Sequence, residues 1–174
     1  MGLKNFIETH GDSFPYPVTI VNQDLPDSPQ TFVNQSFCEL TGFYREEILG
    51  TNCRFLQGGR CDPLITKKIR EAMSQRLPFF QDLKNYKKDG ELFYNRLVAI
   101  PFRTAREKFY LGLQHEIPAE KYTPFNEVPP NDLMDRIVNP LTILCSLEHV
   151  ADSRLNGEFQ KMIEKIQAFV LGLS

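Results

Sequence analysis

The sequence predicts an α+β fold: a mostly antiparallel five-stranded sheet with helices on one face, followed by an all-α helical hairpin. Three observations carry this. Two strand-like runs precede a group of short helices, and three longer strand-like runs follow it. Asp89-Gly90 lies between two of the later runs, as a tight hairpin turn requires. Beyond a segment holding four prolines, the apolar spacing turns helical.

Taken in order, residues 1–13 read as a short helix or arm. PVTIVNQ (17–23) is a strand ended by the turn LPDSP (25–29), and QTFVN (30–34) is a second strand. SFCELTGF follows, with Ser36 and Glu39 spaced as a capping box. YREEILG (44–50) is another helical turn closed by Gly50. The glycine-bounded stretch GTNCRFLQGG comes next. CDPLITKKIREAMSQRL (61–77) is a helix with Asp62 as N-cap and Pro63 at its first position. The last strand is KFYLGLQHEI, 108–117.

The chain divides into an arm (1–13), a sheet domain (14–119), a Pro-rich linker (120–130) and a helical hairpin (131–174). In the hairpin Met134, Ile137, Leu141 and Leu144, then Phe159, Met162, Ile166, Phe169 and Leu173, recur at spacings of three and four. Two short amphipathic helices cannot bury such seams alone, so a homodimer through 131–174, forming a four-helix bundle, is expected.

Composition narrows the function. The 174 residues are 41% hydrophobic and 24% charged, as in a soluble globular protein, and the net charge of −2 gives no reason to expect a nucleic-acid partner. No apolar run approaches the ~20 residues that span a bilayer. The N-terminus lacks the apolar core of a signal peptide. Cys38, Cys53, Cys61 and Cys145 form no CxxC pair and no zinc spacing. The expectation is a cytoplasmic protein with reduced thiols, no membrane association and no metal.

The chemistry concentrates in two places. In the first, Cys53 is set between an amide, Asn52, and a guanidinium, Arg54, with Gln57 close behind. The second is the set of three late strands. Side chains alternate across a strand, so Leu83 shares a face with Asn85. Asn95 shares one with Leu97 and Ala99, and Tyr110 with Gly112 and Gln114. The apolar and small members mark the core side, which puts three amides on an apolar floor. One such amide is explained by a strand end or loop that it caps. Three, beside a thiol loop, point to a polar planar heterocycle, because an amide both donates and accepts. Gly112 lets a flat face approach. A phosphate tail would use one or two of Arg54, Lys67, Lys68 and Arg70, of which Lys68 and Arg70 read as solvated.

GTNCRFLQGG resembles the G-x-N-C-R-F-L-Q signature of LOV domains, flavin-binding blue-light sensors within the PAS fold. The resemblance runs from about Pro17 to Ile117 and includes SFCELTGFYREEILG, TKKIREA, LKNY, FYN and YLGLQ in order. It implies that Cys53 is the photoactive thiol, which adds reversibly to flavin C4a. By the same likeness Asn52 and Gln57 contact the ring, Asn85 and Asn95 hold its pyrimidine edge, and Leu97 and Gly112 line the pocket. Gln114 is then the switch residue and Arg54 the phosphate anchor. Lys67 stands where the family more often has a second arginine, and an ammonium cannot bind phosphate as a fork. Val21 and Ala99 fall at variable pocket positions. The implied cofactor is FMN, with riboflavin or FAD as carriers of the same ring.

DRIVNPLTIL (135–144) resembles the H-box of histidine-kinase dimerisation helices, with Asp135 at the phosphoacceptor position, and no ATP-binding domain follows in this sequence. Pro140 should kink that helix. The reading is a photoreceptor that is not an enzyme and signals through its C-terminal helices and dimer state, with a histidine kinase as a further partner. The alternatives are a flavin-dependent redox enzyme and a non-catalytic regulator of a separate kinase.

Overall fold

The computed structural model describes residues 3–124. Residues His10–Phe125 form one compact unit; a second comprises 1–9 and 126–174. Of the second, residues 3–9 are described; they form helix α1 (Leu3–His10) up to its last residue, with Leu3, Phe6 and Ile7 buried and Lys4 paired to Glu8 one turn on. The seams at 134–173, Asp135 and Pro140 lie outside the described residues.

The sheet contains β1 (Val18–Asn22), β2 (Gln30–Val33), β3 (Phe79–Tyr86), β4 (Leu92–Arg103) and β5 (Lys108–Ile117). Their order is β2-β1-β5-β4-β3, and every neighbouring pair is antiparallel. The expected five-stranded antiparallel sheet of the PAS/LOV type is therefore the one found. The Asp89-Gly90 turn forms as its residues demand. Gly90 takes φ +89°, Lys87 N–H donates to Glu91 O, and Asp89 Oδ1 accepts from Glu91 N–H.

Between β2 and β3 lie α2 (Gln35–Thr41), α3 (Arg45–Ile48), a 3-10 helix at Cys53–Gln57, and α4 (Pro63–Ser74). Asp62 caps α4 by accepting from Leu64 N–H and Ile65 N–H, with Pro63 leading the first turn. The helix stops at Ser74, short of the expected 77, and Arg76 takes a positive φ of 55°.

The start of α2 corrects the capping expectation. A cap must itself be extended, and the extended residue is Asn34 (φ −90°, ψ 172°), with Ser36 already inside the helix. Asn34 is fully buried, and its oxygen accepts from Phe37 N–H and Val18 N–H while its nitrogen donates to Gly11 O and Tyr16 O. Ser36 Oγ instead donates to Phe14 O, and Glu39 accepts from Gln35.

The helix-side core is Val33, Phe37, Ile48 and Leu56, with Phe43 and Phe55 meeting edge to face at 5.0 Å. Burying a side chain such as Leu56 stabilises by about 1.5–3 kcal/mol. The opposite sheet face is buried too, through Val18, Ile20, Val98, Ile100, Leu111 and Leu113.

Candidate functional site

The thiol loop is built by its own polar side chains. Asn52 caps the 3-10 helix, its Oδ1 accepting from Arg54 N–H at 3.0 Å and lying 3.9 Å from Cys53 Sγ. Its Nδ2 donates to Asp27 O at 2.6 Å, tying the loop to the β1–β2 turn. Arg54 adds an ion pair with Asp27, whose backbone sits at a positive φ of 64°. The hydrogen bond from that guanidinium holds the Asp27 carboxyl below the usual carboxylate range. Leu56 points into the core and Phe55 packs against Phe43, so the apolar pair anchors the helix. Gly58 ends it with φ +55°, and a Cβ there would lie 3.2 Å from the Tyr86 ring. That contact joins the loop to β3 beside Asn85.

Burial pushes the Cys53 thiol up from its ordinary range. Burial therefore disfavours the thiolate that a ground-state nucleophile needs.

The three amides predicted from strand parity converge. Asn95 Nδ2 donates to Asn85 Oδ1 at 2.9 Å and to Gln114 Oε1 at 2.7 Å. All three are buried. The register explains why: Leu83 lies opposite Asn95, Leu97 opposite Gln114, and Ala99 opposite Gly112. Asn95 Oδ1 has no hydrogen-bond partner among the described residues, and such an orphan in a protein interior calls for explanation. Gly112 sits where side chains crowd in; a Cβ there would come within 2.5 Å of Thr19 Oγ1 and 3.5 Å of Leu97 Cδ1. The cationic candidates lie at the surface: Arg54 is half exposed, while Lys67 is more so and stands 3.9 Å from Glu71. Gln57 is half-buried at the end of the 3-10 helix.

Two polar residues on the same sheet face went unpredicted. Thr19 pairs with Gly112, and Gln30 pairs with Val21, itself opposite Tyr110. Carrying strand parity into the first strand would have found Thr19. Gln30 was concealed by an irregularity between Ile20 and Val21, which shifts the β1–β2 register.

Among the described residues there is no cluster of three or more His, Cys, Asp or Glu placed to hold a metal, and no helix long and apolar enough to cross a membrane.

Residues 15–118 match the PAS domain family model. The chain is 32% identical to the LOV domain from the Erythrobacter litoralis EL346 blue-light activated histidine kinase, covering 96% of that domain and 59% of this chain (TM-score 0.56). This chain belongs to the PAS family and, within it, to the LOV domains. The LOV protein of Rhodobacter sphaeroides is similar over 99% of this chain and 97% of its own, with TM-score 0.67 and 25% identity. A blue-light-activated histidine kinase of Brucella canis is 41% identical over 104 residues. That match takes in 60% of this chain but 20% of the kinase, so only its LOV portion is shared. The LOV assignment gives the half-buried thiol loop and the buried amide row a common setting in one fold.

Proposed function

We propose that this chain is a blue-light photoreceptor whose pocket holds FMN. The observation that carries this reading is the Asn85–Asn95–Gln114 cluster, with the unpartnered Asn95 Oδ1 at its centre and the Cys53 helix packed against β3. A flavin edge offers ring N–H donors and carbonyl acceptors, the groups that such a cluster lacks. The residues present thus fit the ring. Asn85 and Asn95 would hold its pyrimidine edge, Asn52 and Gln57 would contact it from the loop, and Leu97 and Gly112 would line its face. Arg54 and Lys67 would reach a phosphate.

When bound, a flavin would supply a ring that becomes reactive toward a thiol only on absorbing blue light, and Cys53 would present that thiol from the 3-10 helix. Gln114 reads the change, because its amide can exchange acceptor for donor, a local event of the kind that biases a bistable element. β5 carries Gln114 and runs directly into residues 118–124, so the signal has a short route toward the segment after the sheet. We assign the output to residues 131–174 as a homodimer, with a histidine kinase as a further partner in view of the Erythrobacter and Brucella relatives.

The test is direct. Purified protein should be yellow, and blue light should bleach its flavin band reversibly; Cys53→Ala should stay yellow and fail to bleach. Protein that takes up no FMN on reconstitution would overturn the reading. Size measurement in dark and light then tests the dimer.

A further inference from the structure

Gln30 is 1% exposed, yet neither its side-chain oxygen nor its nitrogen has a hydrogen-bond partner among the described residues. Its backbone is fixed: Gln30 N–H donates to Thr51 O at 2.8 Å, and Gly50 N–H donates to Gln30 O at 2.9 Å. These bonds pin β2 to the chain two and three residues before Cys53. The side chain lies on the helix-facing side of the sheet, since Gln30 is paired with Val21 and Val21 with Tyr110. It thus shares a face with Gly112 and Gln114, across the sheet from the Asn85–Asn95 pair.

A core position paired with Val21 suits any aliphatic side chain, and an amide with both ends unmatched is unfavourable there. Asn95 Oδ1 shows the same defect on the other side of the same face. Two orphans on one sheet face, one on β2 and one on β4, are accounted for together by one ligand lying over the β1 and β5 positions between them.

We propose that Gln30 is a further flavin-contacting residue, a side-chain amide that hydrogen-bonds the bound ring from the β2 side, beside the Cys53 loop. The proposal rests on the flavin reading above and adds a polar contact that the LOV signature does not contain. Asn95 and Gln30 then grip the ring from opposite sides of the central strand β5.

The test uses the full chain, with Gln30→Met and Gln30→Leu as apolar variants and Gln30→Glu as the one of equal shape that lacks the N–H donors. Dark-state affinity is measured by titrating FMN into flavin-free protein. The melting temperature of the flavin-free form and the infrared carbonyl bands of the bound form are recorded beside it. Both apolar variants should bind FMN about tenfold more weakly, as loss of one buried hydrogen bond predicts. Their flavin-free forms should melt at or above the wild-type temperature, because the unmatched amide is gone, and a flavin carbonyl band should move to higher frequency. Gln30→Glu should also bind more weakly. Unchanged affinity and unchanged carbonyl bands in folded variants overturn the proposal, as does a lower flavin-free melting temperature with affinity intact, which marks a structural role. Failure of the wild-type chain itself to bind FMN overturns the flavin reading and this proposal with it, so the two failures are told apart.

Discussion

Arg96 donates from Nε and Nη2 to the two carboxylate oxygens of Asp82, at 2.7 Å each, with both side chains withdrawn from solvent. The pair lies on the face of β3 and β4 opposite the amides, one residue from Asn95. It also holds the chain leaving the sheet. Asp82 Oδ2 accepts from Thr123 N–H and Thr123 Oγ1, Arg96 Nη2 donates to Lys121 O, and Gln81 Nε2 donates to Pro124 O. Breaking one partner of a buried pair costs about 3–5 kcal/mol, because the other charge is stranded. Arg96→Met should lower the melting temperature and hasten proteolysis after Tyr122; Asp82→Leu combined with Arg96→Met should recover part of the stability. A single variant as stable as wild type would show that the pair holds nothing.

Asn95 supplies the donor for two buried acceptors at once. Asn95→Leu strands Asn85 Oδ1 and Gln114 Oε1, at about 1–3 kcal/mol for an unsatisfied buried group. Flavin retention through purification should fall sharply in the same variant. Wild-type flavin content would remove Asn95 from the ring-binding set.

Ala99 is buried opposite Gly112 on one side and Phe79 on the other. Its single methyl is the smallest side chain on this face after Gly112, so a larger residue there would take up room beside a bound ring and shut water away from it. Ala99→Leu should therefore slow dark recovery of the bleached flavin band several-fold. An unchanged recovery rate refutes this role for the space.

Tyr110 donates from its hydroxyl to Leu77 O at 3.1 Å, near the end of α4, and burial raises its pKa to about 12. A raised folded-state value means that the folded protein keeps a proton the unfolded chain loses. The contribution to stability is full below the ordinary value of 10.0 and disappears as pH rises through about 12. Chemical denaturation between those pH values should show stability falling in wild type and falling less in Tyr110→Phe. Equal slopes would show that Tyr110 does not control this alkaline loss.

The amide row was legible because β3, β4 and β5 pair without a break, so counting alternate residues from Leu83, Leu97 and Gly112 reaches Asn85, Asn95 and Gln114. Asp62 and Pro63 were legible because a cap followed by proline has one local meaning. The cap of α2 was misread because Asn34, Ser36 and Glu39 offer competing local patterns, and only tertiary bonds to Gly11, Tyr16 and Val18 choose Asn34. Asp82 and Arg96 look like solvated strand charges until residues 121–124 are seen to cover them. The contact between them joins residues far apart in sequence, which no local pattern records.

The strand order β2-β1-β5-β4-β3 sets a schedule for making the protein. The last strand to be synthesised is the central one, and it alone joins the β1–β2 pair to the β3–β4 pair. A nascent chain can form each hairpin early, but Thr19 and Asn95 belong to one sheet only after β5 has entered between them. Loop closure over that span is slow relative to hairpin formation. The sheet face that carries Gly112 and Gln114 is therefore completed late, when those residues leave the ribosome, and earlier stretches of chain wait with two unsatisfied strand edges.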